Sequence, residues 1–386
     1  MPYESFLLDL AVIIVAAEVG SIAFNRLRLS PVLGMLIVGI ILGPFTPGFT
    51  VDPASIADIA ELGAIFLMFS IGLEMDLSTL SRVKYTTVSI LVLGASLSFV
   101  AGLLLGLGLG WSLKTSAFLG AMLVATSTTT ALRLMSDLGT RHGLTMEAVA
   151  GSIVLDDLAG LMVMSLVSSI FVEEMTSLPM MMAGLVLVVV LMLLIISLGS
   201  RIIPLTLDIT STASSGSEIL LAIAICFILA FVFSLLNLSS YMGAFFAGAM
   251  IASTKYSASV SLYVKPFRDV FSGVFFVSMG MLVDPTNILP VLPVALLISV
   301  VSMVKFFGGF IPILIKKAPL YDAVTAGMYL LPKGEVAIIV AGYGISAGAL
   351  GPEFLSIGAV MMVFTILVTI LGARFIKGRV SDTPVS

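Results

Sequence analysis

The sequence predicts an all-α polytopic membrane protein with about thirteen transmembrane helices. Of its 386 residues, 59% are hydrophobic and only 10% are charged, and the mean hydropathy is +1.22. Soluble domains average about 25% charged residues, and apolar runs of about 18 residues are typical of helices that cross a bilayer. The composition therefore excludes a soluble globular protein. The single cysteine, Cys226, excludes an internal disulfide.

Polar residues divide the apolar runs into thirteen predicted spans. The first span carries Asp9 and Glu18 and has no basic leader, so we interpret it as a retained helix rather than a signal peptide. The predicted spans cover residues 4–25, 30–46, 56–75, 86–111, 115–135, 145–171, 179–206, 216–236, 239–254, 265–284, 288–315, 321–348 and 352–376.

The basic residues indicate which side of the membrane each connection faces, because cytoplasmic connections are enriched in Lys and Arg. Fifteen of the 18 basic residues follow odd-numbered spans. Of the other three, Lys114 lies on the opposite side, and Lys305 and Lys333 fall inside spans. This distribution predicts a multi-pass protein of the plasma membrane with its N-terminus outside and its C-terminus in the cytoplasm.

Two patterns recur in the second half of the chain at a nearly constant distance. A Leu-Ser pair followed by two glycines begins at Leu29 and recurs 209 residues later at Leu238, and a Ser-x-Gly pattern at Ser70 recurs 208 residues later at Ser278. Thirteen spans can be divided into two copies of six spans separated by one linker span. The second copy then has the opposite orientation in the membrane. Such inverted repeats are typical of secondary transporters, whose sites lie near the midplane of the membrane.

Asp156 and Asp157 are adjacent carboxylates in the middle of the sixth span. A charged group at this depth costs about 2.5–3.5 kcal/mol, so the pair predicts an ion or proton site. Successive helical residues point about 100° apart, so one carboxylate can pair with Lys305 of span eleven while the other faces an ion path. We predict Asp156 as the partner of Lys305. A purely structural salt bridge is the alternative, and it does not exclude a role in transport.

Spans five and twelve each contain an interruption, and the two interruptions are separated by about the repeat distance, so they occupy equivalent positions in the two repeats. Span five carries a run of hydroxyl residues at 126–130, and span twelve carries Pro332-Lys333-Gly334-Glu335. Irregular backbone at membrane depth is tolerated only where it is buried in protein or lines a cavity. We therefore predict two broken helices that cross near the midplane. A kink with hydroxyl-to-backbone bonds is the alternative for span five.

The oxygen-rich residues at this crossing suit a hard monovalent cation, which favours carboxylate, hydroxyl and carbonyl ligands. The predicted ligands of a transported Na⁺ are Asp156, Asp157, Thr126 and Ser127. Lys305 is predicted to carry a proton, and Lys333 and Glu335 are predicted to be supporting charges at the crossing. No cofactor is expected.

On these motifs the sequence resembles the monovalent cation:proton antiporter-2 family, and within it the NapA-type sodium/proton antiporters, which have an NhaA-like fold. The similarity covers essentially the whole chain. It implies a homodimer in which a core domain moves like an elevator against a dimerisation domain, with Asp157 as the principal cation ligand and Asp156 as the partner of Lys305. This sequence departs from many relatives in having Lys333 where they have Arg.

The resemblance also implies a division of the chain. We expect one transmembrane transporter unit over 1–378, with a short cytoplasmic tail over 379–386. Within it, the expected dimerisation domain comprises about 1–85 and 207–287, the core domain comprises about 86–171 and 288–378, and 179–206 forms a linker helix. A nucleotide-binding regulatory domain and nucleic-acid partners are not expected.

The expected function is electrogenic exchange of sodium or lithium for protons. A potassium/proton antiporter is the first alternative, and an organic-anion:sodium symporter of similar fold is the second. An intramembrane aspartyl protease would share one proton between carboxylates on different elements, which adjacent residues of one helix do not do. The chain is therefore not expected to be an enzyme. Charge concentrated at one depth argues against a channel as well.

The predicted orientation can be tested by labelling single cysteines in intact cells. Cysteine in place of Glu173 should react with a membrane-impermeant reagent, because this position follows an even-numbered span, whereas cysteine in place of Lys316 should not. The reverse labelling pattern would overturn the number of spans.

Overall fold

The computed structural model describes residues 2–26, 30–46, 51, 53–74, 85–137, 144–172, 197, 199, 201–208, 217–236 and 239–381. All regular secondary structure in these residues is helical, which confirms the predicted fold class. Seven helical stretches, with 288–315 taken as one, are long and apolar enough to cross a membrane.

The helices follow twelve of the thirteen predicted spans. They are α1 (Pro2–Arg26), α2 (Pro31–Leu42), α3 (Pro53–Glu74), α4 (Tyr85–Gly108), α5 (Leu113–Val124), α6 (Thr128–Asp137), α7 (Leu144–Val172), α8 (Ser217–Leu235), α9 (Ser240–Ala252), α10 (Ser257–Met281), α11 (Ile288–Ser302), α12 (Phe306–Ile315), α13 (Leu320–Tyr329), α14 (Glu335–Ser346) and α15 (Glu353–Ser381). The predicted linker at 179–206 lies mostly outside the described residues.

Local sequence explains where several of these helices begin and end. Helix α2 begins with Pro31, whose fixed φ and missing N–H suit the first helical position. Helix α5 begins after Ser112, whose hydroxyl accepts a hydrogen bond from the Thr115 N–H at 3.1 Å. Helix α13 ends before Pro332, because proline cannot continue a helix and disfavours helical backbone at the residue before it.

The chain forms two compact units. The first comprises residues 1–82 and 165–282, and it contains α1–α3, α8–α10 and the end of α7. The second comprises residues 83–164 and 283–386, and it contains α4–α6, most of α7 and α11–α15. Each unit therefore contains three of the predicted spans from the first repeat and three from the second.

In the first unit, equivalent glycines of the two repeats make equivalent contacts. Gly39 of α2 lies against the carbonyl of Val277 in α10, and Gly248 of α9 lies against the carbonyl of Phe69 in α3, so closely that neither position has room for a Cβ atom. Gly39 and Gly248 are 209 residues apart, and Phe69 and Val277 are 208 apart. The predicted repeat is thus visible as the same contact made twice.

The second unit repeats its packing in the same way. Gly120 of α5 lies against the carbonyl of Phe99, and Gly327 of α13 lies against the carbonyl of Phe306, with 207 residues between each pair of equivalents. Small residues let helix backbones approach closely, and this close packing is a main source of helix association in a membrane, where lipid is as apolar as the side chains. The same sequence periodicity therefore shapes both units.

These contacts predict that Gly39→Val lowers the thermal stability of the detergent-solubilised protein. The new Cβ would overlap the Val277 carbonyl, and overpacking of this kind costs about 1–3 kcal/mol. Temperature-dependent aggregation measures the loss. The control is Gly108→Ala at the end of α4, where no atom lies within 4 Å of the added Cβ. An unchanged melting temperature in Gly39→Val would contradict this account of the α2–α10 packing.

Candidate ion-binding site

The two helix breaks meet in the second unit. Residues 125–127 between α5 and α6 are not helical, and neither are residues 331–334 between α13 and α14. The Ser127 N–H donates to the carbonyl of Pro332 at 2.7 Å, and the Thr126 hydroxyl donates to the carbonyl of Leu330 at 3.1 Å. A Cβ on Gly334 would lie 2.7 Å from the Cβ of Ser127, so only glycine fits here without displacement. The predicted pair of crossing broken helices is confirmed.

Lys333 binds the open end of α5. Its side chain is fully buried, and its Nζ donates to the carbonyls of Leu123 at 2.5 Å and Ala125 at 3.1 Å. The last carbonyls of a helix have no partner within the helix, and the helix dipole favours a cation at that end. Its own N–H donates to the hydroxyl of Thr365 in α15 at 3.0 Å. Lys333 therefore ties the second break to the first.

Lys305 reaches the same helix end from another direction. It ends a 3₁₀ turn, Met303–Lys305, that joins α11 to α12, and its side chain is 1% exposed. The Nζ atom donates to the carbonyl of Val124 and forms an ion pair with Oδ2 of Asp156. Its aliphatic part passes over Gly94 of α4, where an added Cβ would lie 3.5 Å from Lys305 Cε. Three consecutive carbonyls, at 123–125, thus accept from two buried lysines.

Asp157 has different surroundings from Asp156. It is 7% exposed, and its Oδ2 accepts a hydrogen bond from the Thr128 hydroxyl at 2.7 Å. Its Oδ1 is buried and has no hydrogen-bond partner among the described residues. Glu335, in the first turn of α14, is a further acidic residue near Asp157. One aspartate is neutralised by a lysine, and the other keeps an available oxygen.

The structure places Thr126 and Ser127 at the crossing with their hydroxyls engaged elsewhere. Thr126 donates to Leu330, and the Ser127 hydroxyl donates to that of Thr130 at 3.0 Å. In the part of the chain that the structure describes, the hydroxyl that bonds to Asp157 is that of Thr128, which the sequence analysis did not single out. Only the run of hydroxyl residues pointed to it, since the side that each one faces depends on the exact residue at which the helix breaks.

Chemically, this arrangement offers carboxylate, hydroxyl and carbonyl oxygens to a cation or a proton at the junction of two broken helices. A carboxylate oxygen without a partner in a buried position calls for a compensating cation or proton. The ion pair between Lys305 and Asp156 can open only if another positive charge replaces the Lys305 ammonium group. Such a site suits reversible binding of small cations and protons.

Comparison with known proteins gives relatives along the whole chain. The family profile described as "Sodium/hydrogen exchanger, transmembrane" matches residues 11–376. The chain is 30% identical over 372 residues to the Na⁺/H⁺-K⁺ antiporter GerN of Bacillus cereus, a match that covers 96% of this chain and 95% of that protein. It is 27% identical over 377 residues to a Na⁺/H⁺ antiporter of Enterococcus hirae, covering 96% and 98% of the two chains.

A solved structure has the same fold. The sodium proton antiporter MjNhaP1 from Methanocaldococcus jannaschii, determined at pH 8, matches with a TM-score of 0.65 and 17% sequence identity over 97% of each chain. This similarity agrees with the observed helical fold, and the family match extends over nearly the whole length of the chain. The chain belongs to the transmembrane sodium/hydrogen exchanger family and is a cation/proton antiporter, not an enzyme.

Proposed function

We propose that this protein exchanges sodium or lithium for protons across the plasma membrane and that both ions compete for Asp157. The observation that carries the proposal is the buried Oδ1 atom of Asp157, which has no hydrogen-bond partner among the residues described and lies beside an aspartate that pairs with Lys305. A carboxylate oxygen binds either a proton or a hard cation at the same lone pair. Exchange therefore follows from alternate occupancy of one group.

In this proposal Asp157 is the principal cation ligand, and Asp156 is a second ligand that becomes available when it leaves Lys305. Thr126 and Ser127 contribute oxygens at the helix break. Their hydroxyls are bonded to Leu330 and Thr130, so a cation uses them only by displacing those bonds. Lys333 and Glu335 shape the charge of the site from the second break.

The charge balance of the site supports electrogenic exchange. With Asp157 protonated and Lys305 charged against Asp156, the three groups are neutral in total. When one Na⁺ occupies both aspartates and Lys305 has released its proton, the total is one negative charge. Two protons then move for each cation, and each net charge gains about 2.3 kcal/mol per 100 mV of membrane potential.

We assign the transport core to the second unit and the dimerisation domain of a homodimer to the first. All the candidate ion-site residues and both broken helices belong to the second unit, 83–164 and 283–386. An elevator movement of that core would carry the complete site with it. The distribution of the basic residues supports an N-terminus outside and a C-terminus in the cytoplasm.

Potassium is the second candidate cation. The GerN relative is named a Na⁺/H⁺-K⁺ antiporter, and carboxylate and carbonyl oxygens bind either ion. Cation-induced pH changes in everted vesicles, compared for sodium, lithium and potassium, decide between them. A response to potassium alone would overturn the sodium assignment.

Asp157→Asn should abolish exchange in a folded protein, because the amide cannot bind proton and cation in turn. Sodium-induced pH changes in proteoliposomes measure the loss. The control is Asp208→Asn, which removes an exposed carboxylate that pairs with Lys255 at 3.0 Å; exposed pairs contribute only about 0–1 kcal/mol. Sodium-dependent exchange that persists in Asp157→Asn would refute the site.

Lys305→Gln should exchange one proton per sodium and lose its sensitivity to membrane potential, because one of the two carried protons is gone. Sodium flux into proteoliposomes clamped with potassium and valinomycin measures this sensitivity. Removing one partner of a buried ion pair costs about 3–5 kcal/mol, so the double variant Asp156→Asn/Lys305→Gln, which removes both charges, serves as the more stable companion. An active variant that still responds to voltage would leave the aspartates as the only proton carriers.

A further inference from the structure

We propose that Lys305 has a second position in the protein, beside Gly94 and Ser98 of α4, which its amino group occupies when a cation replaces it at Asp156. The structure shows the first position, in which Lys305 pairs with Asp156. This inference rests on the proposed function, in which Asp156 becomes a cation ligand after it leaves Lys305. Gly94 and Ser98 are then positioning residues, because they act on the cation only through Lys305.

The first observation is free space at Gly94, next to the aliphatic part of Lys305. A Cβ added to Gly94 would lie 3.5 Å from Lys305 Cε, 3.7 Å from Lys305 Cγ and 3.8 Å from the Cα of Gly308. These are ordinary van der Waals distances, so alanine fits at this position. Close packing of the two helices requires glycine only at 308, where an added Cβ would lie 2.4 Å from the Cα of Gly94. The missing methyl group therefore leaves a space that Lys305 does not use in its first position.

The second observation is a buried hydroxyl group one turn further along the same face of α4. Ser98 is 0% exposed, and its Oγ has no hydrogen-bond partner among the described residues. Residues four apart lie on the same face of a helix, so Ser98 is the neighbour of Gly94. Buried hydroxyl groups are nearly always hydrogen-bonded. The Ser98 hydroxyl thus lacks a partner that a movement of Lys305 can supply.

The packing of α4 places this hydroxyl at the level of the turn that carries the lysine. Helices α4 and α12 run in opposite directions, because Gly94 meets Gly308, whereas Ile90, one turn earlier, belongs to the same apolar cluster as Ile313. The residue one turn after Gly94 therefore lies opposite the 3₁₀ turn at 303–305. A lysine has a flexible four-carbon stem, so its amino group reaches α4 by a change of rotamer.

The second position suits the amino group in either protonation state. A serine hydroxyl accepts a hydrogen bond from the N–H of an ammonium or an amine, and it can also donate to the lone pair of an amine. The movement therefore requires only hydrogen bonds to change. It releases the carbonyl of Val124 and Oδ2 of Asp156, the two oxygens that Lys305 now binds. Without the space or the hydroxyl, Lys305 stays with Asp156 for more of the time, and a cation binds less tightly.

Gly94→Ala and Ser98→Ala should each lower the apparent sodium affinity about three- to tenfold at a fixed pH, the effect of one methyl contact or one hydrogen bond. Sodium-dependent thermal stabilisation of the full chain in detergent measures this affinity, and the KM for sodium in proteoliposomes measures it again. Without sodium, neither variant should melt at a lower temperature than the unmodified protein. Alanine favours a helix more than glycine does, and the Ser98 hydroxyl has no bond to lose among the described residues.

Each of these variants has a matched control. Gly151→Ala also adds a methyl group whose nearest neighbour lies at 3.5 Å, but that neighbour is Cγ2 of Thr87. Ser116→Ala removes a buried hydroxyl that already bonds to the carbonyl of Ser112. Both controls should keep the sodium affinity of the unmodified protein.

A last comparison tests whether the two residues act through Lys305. In a Lys305→Gln background, which has no amino group to move, Gly94→Ala and Ser98→Ala should change the sodium affinity no further. The inference is overturned by an unchanged affinity in either single variant, by an equal fall in its control, or by an equal fall in the Lys305→Gln background. If the Lys305→Gln protein does not fold, the single variants and their controls decide. Failure of the proposed function looks different, because it is seen as exchange that persists in Asp157→Asn.

Discussion

The open end of α5 is the constraint on which the candidate site depends. A helix that stops in a buried place leaves carbonyl groups that water cannot reach, and each unsatisfied group there is costly. Lys305 donates to the carbonyl of Val124. Lys333 donates to the carbonyls of Leu123 and Ala125. Two buried lysines therefore satisfy the carbonyls at the break, and one of them, Lys305, is paired with Asp156 as well.

This arrangement explains why two adjacent aspartates can differ in chemistry. Asp156 faces the ammonium group that the helix end already holds, so its charge is balanced within the protein. Asp157 turns away from that pair toward α6, where Thr128 occupies one of its oxygens. The neighbouring Glu335 adds negative charge from the second break. Asp156 therefore has a cation of the protein as its partner in this structure, whereas Oδ1 of Asp157 has no hydrogen-bond partner among the described residues.

The hydrophobic effect contributes little to the association of the other helices. In lipid, helices gain stability from close packing and hydrogen bonds rather than from removal of apolar surface from water. Gly39 and Gly248 in one unit, and Gly120 and Gly327 in the other, place helix backbones in direct contact. Because each contact occurs twice, a single repeated sequence pattern builds both the scaffold and the pair of breaks.

The sequence was enough to predict the fold class, the approximate bounds of twelve spans and the two breaks, because hydropathy, proline and buried charge act locally along the chain. It also determined the repeat, since Leu29 and Leu238 begin the same pattern 209 residues apart. Which hydroxyl meets Asp157 could be read only from the packing of α6 against α7. The run at 126–130 offers several hydroxyls of the same kind, and a shift of one residue in the break turns each by about 100°. The contact of Lys333 with carbonyls of α5 was likewise not predictable from the sequence. It joins residues about 210 positions apart, and no local pattern encodes where a flexible side chain ends.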